Sequence, residues 1–328
     1  GPFNRDTSSM GSVKRMLMEA EDRGWDGSDE FVCVECVDDY ALEAVIRESS
    51  EHHKTCSFCG TAPAAELDVL TGAFVDGLWR EHEDAVEGVS YDSAEGGYIF
   101  LGDAWDTWDL VEHYEDVLVG DGLIDRMREL IHDRKWVDRD FAWRRRDDAL
   151  RDAWASFGYG VKHRTRYVFW IVPDEHETRS RSEGEIPPGE ILYDIANILD
   201  QLGLIQEVPA GTSYWRAQTH AGRGLVGGAT AGRLGTAPIA ESKQPNRMSP
   251  AGIPMFYGAE DRATALGEVT RHLPKGKGYA TTGLFRTTCS MTVVDFTALR
   301  PISIFDRELG HLSRQAAFLQ EFVRELSK

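Results

Sequence analysis

No apolar run in this sequence is long enough to cross a bilayer; the longest, such as Tyr167 to Val172, fall far short of the ~20 residues a spanning helix needs. The polar N-terminus also lacks the apolar stretch of a signal peptide. These two absences argue against membrane-spanning and secreted classes and predict a cytoplasmic protein. Basic charge is scarce as well, with 36 Lys and Arg against 55 Asp and Glu and a net charge of −19 spread along the chain. Such a surface repels phosphate backbones at long range and so disfavours nucleic acid as a partner. An anionic small ligand would need dedicated arginines. The plainer reading of the acidity is solubility.

What is present suffices for sizeable cores. Hydrophobic residues make up 41% and aromatics 10% of 328 residues, which excludes wholesale disorder and allows two or three domains. The start, Gly1-Pro2-Phe3-Asn4, reads as a protease scar, and residues 1–9 are set aside as an expression tag or linker.

Four of the five cysteines fall in one stretch, Cys33-Val-Glu-Cys36 and Cys56-Ser-Phe-Cys59, with 19 residues between the pairs. Each Cys-x-x-Cys turn aims two thiolates at one point, so the pattern predicts a structural, tetrahedral Zn²⁺ site held by Cys33, Cys36, Cys56 and Cys59. Gly60 supplies permissive backbone just after the second pair. The alternatives are two local disulfides or unligated thiols; a reducing cytosol disfavours the first and the coincidence of two pairs the second. Four thiolates leave no open position for a substrate, and His52 and His53 are not needed. Cys289 reads as a small buried hydrophobe.

From Gly72 to Leu202 the pattern is helical. Trp105, Trp108, Tyr114 and Leu118 recur at helical steps, Leu123, Met127, Leu130 and Ile131 continue the rhythm, and Leu150, Trp154 and Phe157 share a side. Ile191, Leu192, Ile195, Ile198, Leu199 and Leu202 form the clearest amphipathic helix, stopped by Gly203. After Pro209 short strand-like runs take over: Ser213 to Gln218, Pro254 to Ala259, Tyr279 to Thr288 and Met291 to Thr297. The Gly-rich stretch from Gly222 to Pro254 reads as a functional or mobile loop, able to close over a ligand. Asp261 caps a helix running to about His272, and Phe305 to Ser327 is helical.

Two motifs fail on context. Gly222-Arg-Gly224-Leu-Val-Gly227 matches G-x-G-x-x-G, but more glycine follows where a dinucleotide fold needs a helix. Arg126 and His132 have the R-x5-H spacing of HEPN ribonucleases, yet positions six apart on a helix point about 120° away from each other. Solvated helix-face residues are the simpler reading.

The most informative segment runs Tyr214-Trp215-Arg216-Ala217, then Asn246-Arg247-Met248-Ser249-Pro250-Ala251-Gly252-Ile253-Pro254-Met255-Phe256-Tyr257-Gly258-Ala259, then Thr264-Ala265-Leu266-Gly267-Glu268-Val269. This order closely resembles the RES domain family, named for Arg, Glu and Ser, whose members include bacterial toxins that destroy NAD⁺. The resemblance spans roughly Thr212 to Lys328. Upstream, Trp154-Ala-Ser-Phe157 and Val161-Lys-His-Arg164 resemble the HEPN-associated module found before RES domains.

The resemblance implies an ADP-ribosyltransferase-like fold that cleaves the nicotinamide–ribose bond of NAD⁺ by hydrolysis or phosphorolysis. Residue chemistry agrees. Forked guanidiniums at Arg216 and Arg247 suit a pyrophosphate. Tyr257 offers an aromatic face to the cationic nicotinamide ring, and Glu268 a carboxylate to an oxocarbenium-like ribose. Catalytic roles are therefore expected at Arg216, Glu268 and Tyr257, and NAD⁺ contacts at Arg216, Arg247 and Tyr257. Each residue also has a bland reading: Arg216 paired with an acid, Arg247 decorating a turn, Phe256 rather than Tyr257 facing the cleft, Glu268 as surface charge. The family's serine lies near the end of its domain, on a strand after the last helix, whereas this sequence stops at Leu326-Ser327-Lys328; Ser249 and Ser290 sit in the wrong elements to replace it.

The expected organisation is α+β: a four-cysteine zinc-knuckle region over 10–70, a helical HEPN/RES-type domain over 71–208, and a RES domain over 209–328 truncated at its C-terminus. The expected function is an NAD⁺-degrading toxin or antiphage effector, with NAD⁺ as substrate, an antitoxin or regulatory protein as partner and room for a homo-oligomer. The rivals are a HEPN-type ribonuclease using Arg126 and His132, and a module that binds NAD⁺ or ADP-ribose without turnover.

Overall fold

The computed structural model describes residues 18–85, 91–92, 97–98, 104–139, 145–163, 186–187, 189–223, 228–244, 249, 251–271 and 278–326. Helices and strands are mixed, as an α+β chain requires. The chain divides into two compact units: Gly1–Ile198 with Arg300–Phe318, and Leu199–Leu299 with Leu319–Lys328. Among the described residues no helix is long and apolar enough to cross a membrane.

In the first unit, β1 (Phe31–Val32) pairs antiparallel with β2 (Ala65–Glu66) and ties the two cysteine turns together. Between the turns lies α1 (Tyr40–Ser49), whose Asp39 cap accepts from the backbone N–H groups of Ala41 and Leu42. After β2 comes α2 (Leu67–Glu81), which buries Leu67, Leu70, Phe74 and Leu78 on the helical period against Leu42 and Ile46 of α1 in one core.

The next stretch departs from the helical expectation. The backbone forms β3 (His82–Asp84), then β4 (Tyr91–Asp92) and β5 (Gly97–Tyr98) as a pair, then β6 (Trp105–Asp106), α3 (Thr107–Glu112), α4 (Leu123–Leu130) and β7 (Lys135–Asp138). Strands β3, β7 and β6 make an antiparallel sheet with β7 in the middle, Trp105 opposite Trp136. The reason is Thr107. Its buried hydroxyl donates to the carbonyl of His132 (3.0 Å) and accepts from the N–H of Arg134 (3.1 Å) and the indole N–H of Trp136 (3.0 Å). Three satisfied bonds at one buried oxygen fix β7 against the start of α3 and override the helical rhythm of the tryptophans. Two further helices follow, α5 (Arg146–His163) and α6 (Ile191–Gln201), both at places the sequence pattern predicts.

His82 is buried, and its Nδ1 lies 3.2 Å from the Asp138 carboxylate across the sheet. The imidazole holds the Asp138 carboxyl below its ordinary value against the opposing effect of burial. A depressed carboxyl pKa contributes stability that is present above the unfolded value near pH 4 and lost as the pH falls through the folded one. Asp138→Asn is therefore expected to be less stable than the parent at pH 7, by under about 1 kcal/mol because Asp138 is 38% exposed. Urea titrations at stepped pH should show the gap closing as the pH falls below the ordinary carboxyl value and through the lowered folded one; a gap constant with pH rules the account out.

In the second unit, β8 (Ile205–Val208) pairs with β11 (Met291–Val294), and β9 (Ser213–His220) pairs along its whole length with β10 (Tyr279–Arg286), all antiparallel. The Gly-rich stretch contains a short helix, α7 (Ala231–Leu234), whose Leu234 covers Gly283 so closely that a side chain there would meet it at 2.9 Å. Asp261 caps α8 (Arg262–Thr270) by accepting from the Thr264 N–H at 2.8 Å, as expected. The run Pro254 to Ala259 is not a full strand; only Ala259 bridges, exchanging backbone bonds with Trp215 (2.6 and 2.8 Å). The last helix, α9 (Ser313–Leu326), begins later than the pattern implies, because the chain from Phe305 runs through turns and a 3₁₀ helix (Gly310–Leu312) first. Its later half contributes Leu319 and Phe322 to this unit, the latter against Phe296.

Candidate functional site

Among the described residues two clusters of chemical interest emerge, one in each unit. In the first unit Cys33, Cys36, Cys56 and Cys59 converge, their four Sγ atoms all within 4.8 Å of one another. Individual separations are 3.8 Å for Cys33–Cys36, 3.3 Å for Cys33–Cys59 and 3.6 Å for Cys36–Cys56. All five cysteines are unbridged, so the two-disulfide alternative does not hold, and Cys289 is exposed rather than the buried hydrophobe expected of it. Ligands about 2.3 Å from a tetrahedral centre stand about 3.8 Å apart, close to what the thiols show. The donor set thus fits a metal ion.

Local folding explains the convergence. A 3₁₀ turn over Val34–Cys36 closes the first knuckle, with the Cys36 N–H on the Cys33 carbonyl (3.1 Å). In the second, the Gly60 N–H returns to the Cys56 carbonyl (3.0 Å), and Gly60 has φ +76°, the left-handed conformation expected of it. The two knuckles are stitched by the Ser57 N–H on the Phe31 carbonyl (2.8 Å) and the Phe31 N–H on the Ser57 hydroxyl (3.0 Å). Burial pushes the Cys33 thiol up to about 11 and Cys36 higher still. Exposed Cys59 is brought down to about 6, first by its bonds from Thr61 and then by Cys33. Three buried thiols facing one another in this way gain from a cation that would accept them as thiolates. His53 pairs with Glu51 instead (3.2 Å).

In the second unit the centre is Arg216 on β9. One guanidinium N–H donates to the Tyr257 carbonyl at 3.1 Å, and the guanidinium lies 5.1 Å over the ring of Phe256. Phe256 is itself set edge-on against Phe285 of β10 (5.0 Å, 68°). Partial burial lowers the affinity of Arg216 for its proton, a small effect on a group that stays charged. Among the described residues no carboxylate pairs with it, so the reading of Arg216 as half of a structural ion pair is not supported. Among the described residues its hydrogen bond is to Tyr257, and a half-buried guanidinium of this kind can bind an anion.

Tyr257 stands beside it, 38% exposed, with its hydroxyl 3.1 Å from the Ser249 hydroxyl. Neither it nor Phe256 is core: both rings are exposed, and Phe256 carries the cation contact. Sequence reasoning weighed these rings against each other, and the alternation that raised the question could not assign the Phe256 partnership. Glu268 is not brought to Arg216. It is 57% exposed and its ion pair is with Arg271 at 3.5 Å. Helix α8 begins on the other face of the β9–β10 ribbon, where Arg262 donates to Thr282 (3.1 Å) and lies 5.9 Å over Trp215. Neighbouring residues Trp215 and Arg216 point to opposite faces of a strand. Arg247 lies outside the described residues, as does most of the G-x-G-x-x-G run.

Among the described residues Arg126 and His132 are not brought to each other. Arg126 is held by Glu30 and by Glu129 (2.9 Å), while His132 Nε2 lies 3.2 Å from Asp26. Each residue answers to a different acid, and His132 lies beyond the end of the helix that carries Arg126.

Comparison with known proteins adds two matches. Residues 49–175 match the family model described as HEPN/RES N-terminal domain 1, and residues 213–326 match that of the RES domain. No curated protein and no solved structure matches the chain.

Proposed function

We propose, from the premise that this chain belongs to the RES family with a HEPN/RES N-terminal domain ahead of its RES domain, that it cleaves the nicotinamide–ribose bond of NAD⁺ as a glycohydrolase or phosphorylase and serves as a toxin or defence effector. RES domains act on NAD; the finer reading rests above all on Arg216, half-buried, without an acid among the described residues, and laid over Phe256 beside Tyr257.

In this reading Arg216 takes the pyrophosphate through the donors it does not spend on Tyr257, and Arg247 adds a second guanidinium. The rings of Tyr257 and Phe256 offer flat surfaces to the nicotinamide and hold water away from it. Breaking the C1′–N bond sends its electron pair to nicotinamide and leaves an oxocarbenium-like ribose. Glu268 is the carboxylate assigned to that charge. Its exposed pair with Arg271 is worth well under about 1 kcal/mol, on the order of other surface pairs, so that pair holds the carboxylate only weakly. Water then attacks C1′ and loses a proton to give ADP-ribose, or phosphate attacks to give the 1-phosphate. Separately, Cys33, Cys36, Cys56 and Cys59 hold Zn²⁺, which cross-links the two knuckles and takes no part in the cleavage. An antitoxin or regulatory protein as partner belongs to the same proposal.

The test is nicotinamide release from NAD⁺ by the purified chain, with and without phosphate. Arg216→Ala is expected to lower kcat/KM about a hundredfold, the scale of losing a charge-assisted contact to the reacting molecule. Glu268→Gln should lower kcat by a similar factor while leaving KM near its original value. Equal turnover by the parent and Arg216→Ala removes the basis of the proposal.

A further inference from the structure

A buried residue against Tyr257 that has no role in the account above is Ser249. It is 4% exposed, and its hydroxyl meets that of Tyr257 at 3.1 Å. The sequence explains how residues eight apart come together. Between them the chain reverses at Gly252, which has φ +86° and whose N–H is taken by the Ser242 carbonyl at 2.6 Å. A side chain at that position would be strained in the left-handed conformation, so the turn depends on glycine. The reversal lays Ser249 beneath the exposed phenol.

Tyr257 is thereby held at both ends: its carbonyl accepts from Arg216 and its hydroxyl meets Ser249. A buried hydroxyl that lost this partner would forfeit a bond in a place water reaches poorly, so the pair favours one ring orientation. We infer that Ser249 is a positioning residue, which fixes the Tyr257 phenol for the dinucleotide; the inference rests on the functional reading above. It is a different role from that of the serine for which the family is named, which lies near the end of the domain. Ser249 acts through Tyr257 and touches no reacting atom.

The experiment is a double-mutant cycle in the full chain, read by nicotinamide release. Ser249→Ala and Tyr257→Phe are each expected to lower kcat/KM about fivefold, as loss of one hydrogen bond would. The double variant should be no slower than Tyr257→Phe alone, and Ser249→Thr, which keeps the hydroxyl, should stay within about twofold of the parent. In parallel, 3-fluorotyrosine placed at position 257 should change its ¹⁹F shift on Ser249→Ala, with no turnover required. Losses that multiply to about twenty-five-fold, an unchanged kcat/KM in Ser249→Ala, or an unmoved fluorine resonance would each overturn the inference. A parent chain that releases no nicotinamide overturns the functional reading and this role with it, while the fluorine shift still reports whether the bond exists.

Discussion

Cys36→Ser is expected to strip the chain of bound metal and to lower the melting temperature of the first unit by about 10 °C or more. The four thiols stand where a tetrahedral ion would place them, and three are buried among apolar residues. Cys33, Cys36 and Cys56 belong to the same core as Val32, Val37, Leu42 and Leu67, so the site forms part of the packing itself. Gly120 closes the other side: its N–H donates to the Cys36 carbonyl (3.0 Å), and a Cβ there would come within 2.8 Å of Cys36 Cβ. Structural zinc contributes roughly 10–16 kcal/mol in small fingers that are unfolded without it. A unit with its own apolar core needs less, but even about 4 kcal/mol is a large share of a typical net stability of about 5–15 kcal/mol. At about 2–4 °C per kcal/mol, that amount lowers the melting point by some 8–16 °C. Elemental analysis should find one zinc per parent chain and none in the variant, and a strong chelator should reproduce the shift in calorimetry. A parent that purifies without metal and melts alike with and without chelator would count against the site.

Why the four-cysteine cluster is legible in the sequence and the sheet of β3, β7 and β6 is not follows from distance along the chain. Each cysteine pair is separated by two residues and its turn is local, so spacing alone brings the thiols of each pair together. The β9–β10 ribbon and α8 are likewise written locally, in alternating residues and in the Asp261 cap. The sheet of β3, β7 and β6 has strands of two to four residues joined across tens of positions. Its tryptophans recur at steps that also suit a helix, and the deciding fact is the three-bonded hydroxyl of Thr107, which no periodicity reveals. The candidate NAD⁺ site divides the same way. Motif order singles out Arg216 and Tyr257, and the structure sets them side by side. That Phe256 lies under the guanidinium, that Arg216 has no acid among the described residues, and that α8 starts on the opposite face are matters of strand register and packing. These depend on the whole domain.

Phe305→Ala is expected to cost the first unit about 3–5 kcal/mol, the range for emptying the seat of a buried phenylalanine. Phe305 is 2% exposed, although the segment around it falls within the residues matched to the RES domain. Its ring stacks on Phe74 of α2 (5.0 Å, 17°) and meets Tyr114 edge-on (5.6 Å, 69°). The floor of its seat is Gly77, where a Cβ would stand 2.2 Å from the Phe305 ring, closer than any real contact. Flanking bonds hold the same segment: Arg80 donates to the Ile304 carbonyl (2.6 Å), Tyr40 donates to Asp306 (3.0 Å), and Ser313 and Arg314 both engage Glu81. Part of the RES-matched chain thus completes the core of the unit built mainly from residues 1–198. Gly77→Leu should therefore destabilise as Phe305→Ala does, by blocking the seat rather than emptying it, and the pair should be far from additive because both disrupt one contact. For the same reason a fragment limited to the first 198 residues should unfold at lower urea than the unit does in the full chain, since Phe74 and Tyr114 lose their cover. Urea midpoints by tryptophan fluorescence decide the matter. A Phe305→Ala chain within about 1 kcal/mol of the parent would mean that the seat carries little of the stability its burial implies.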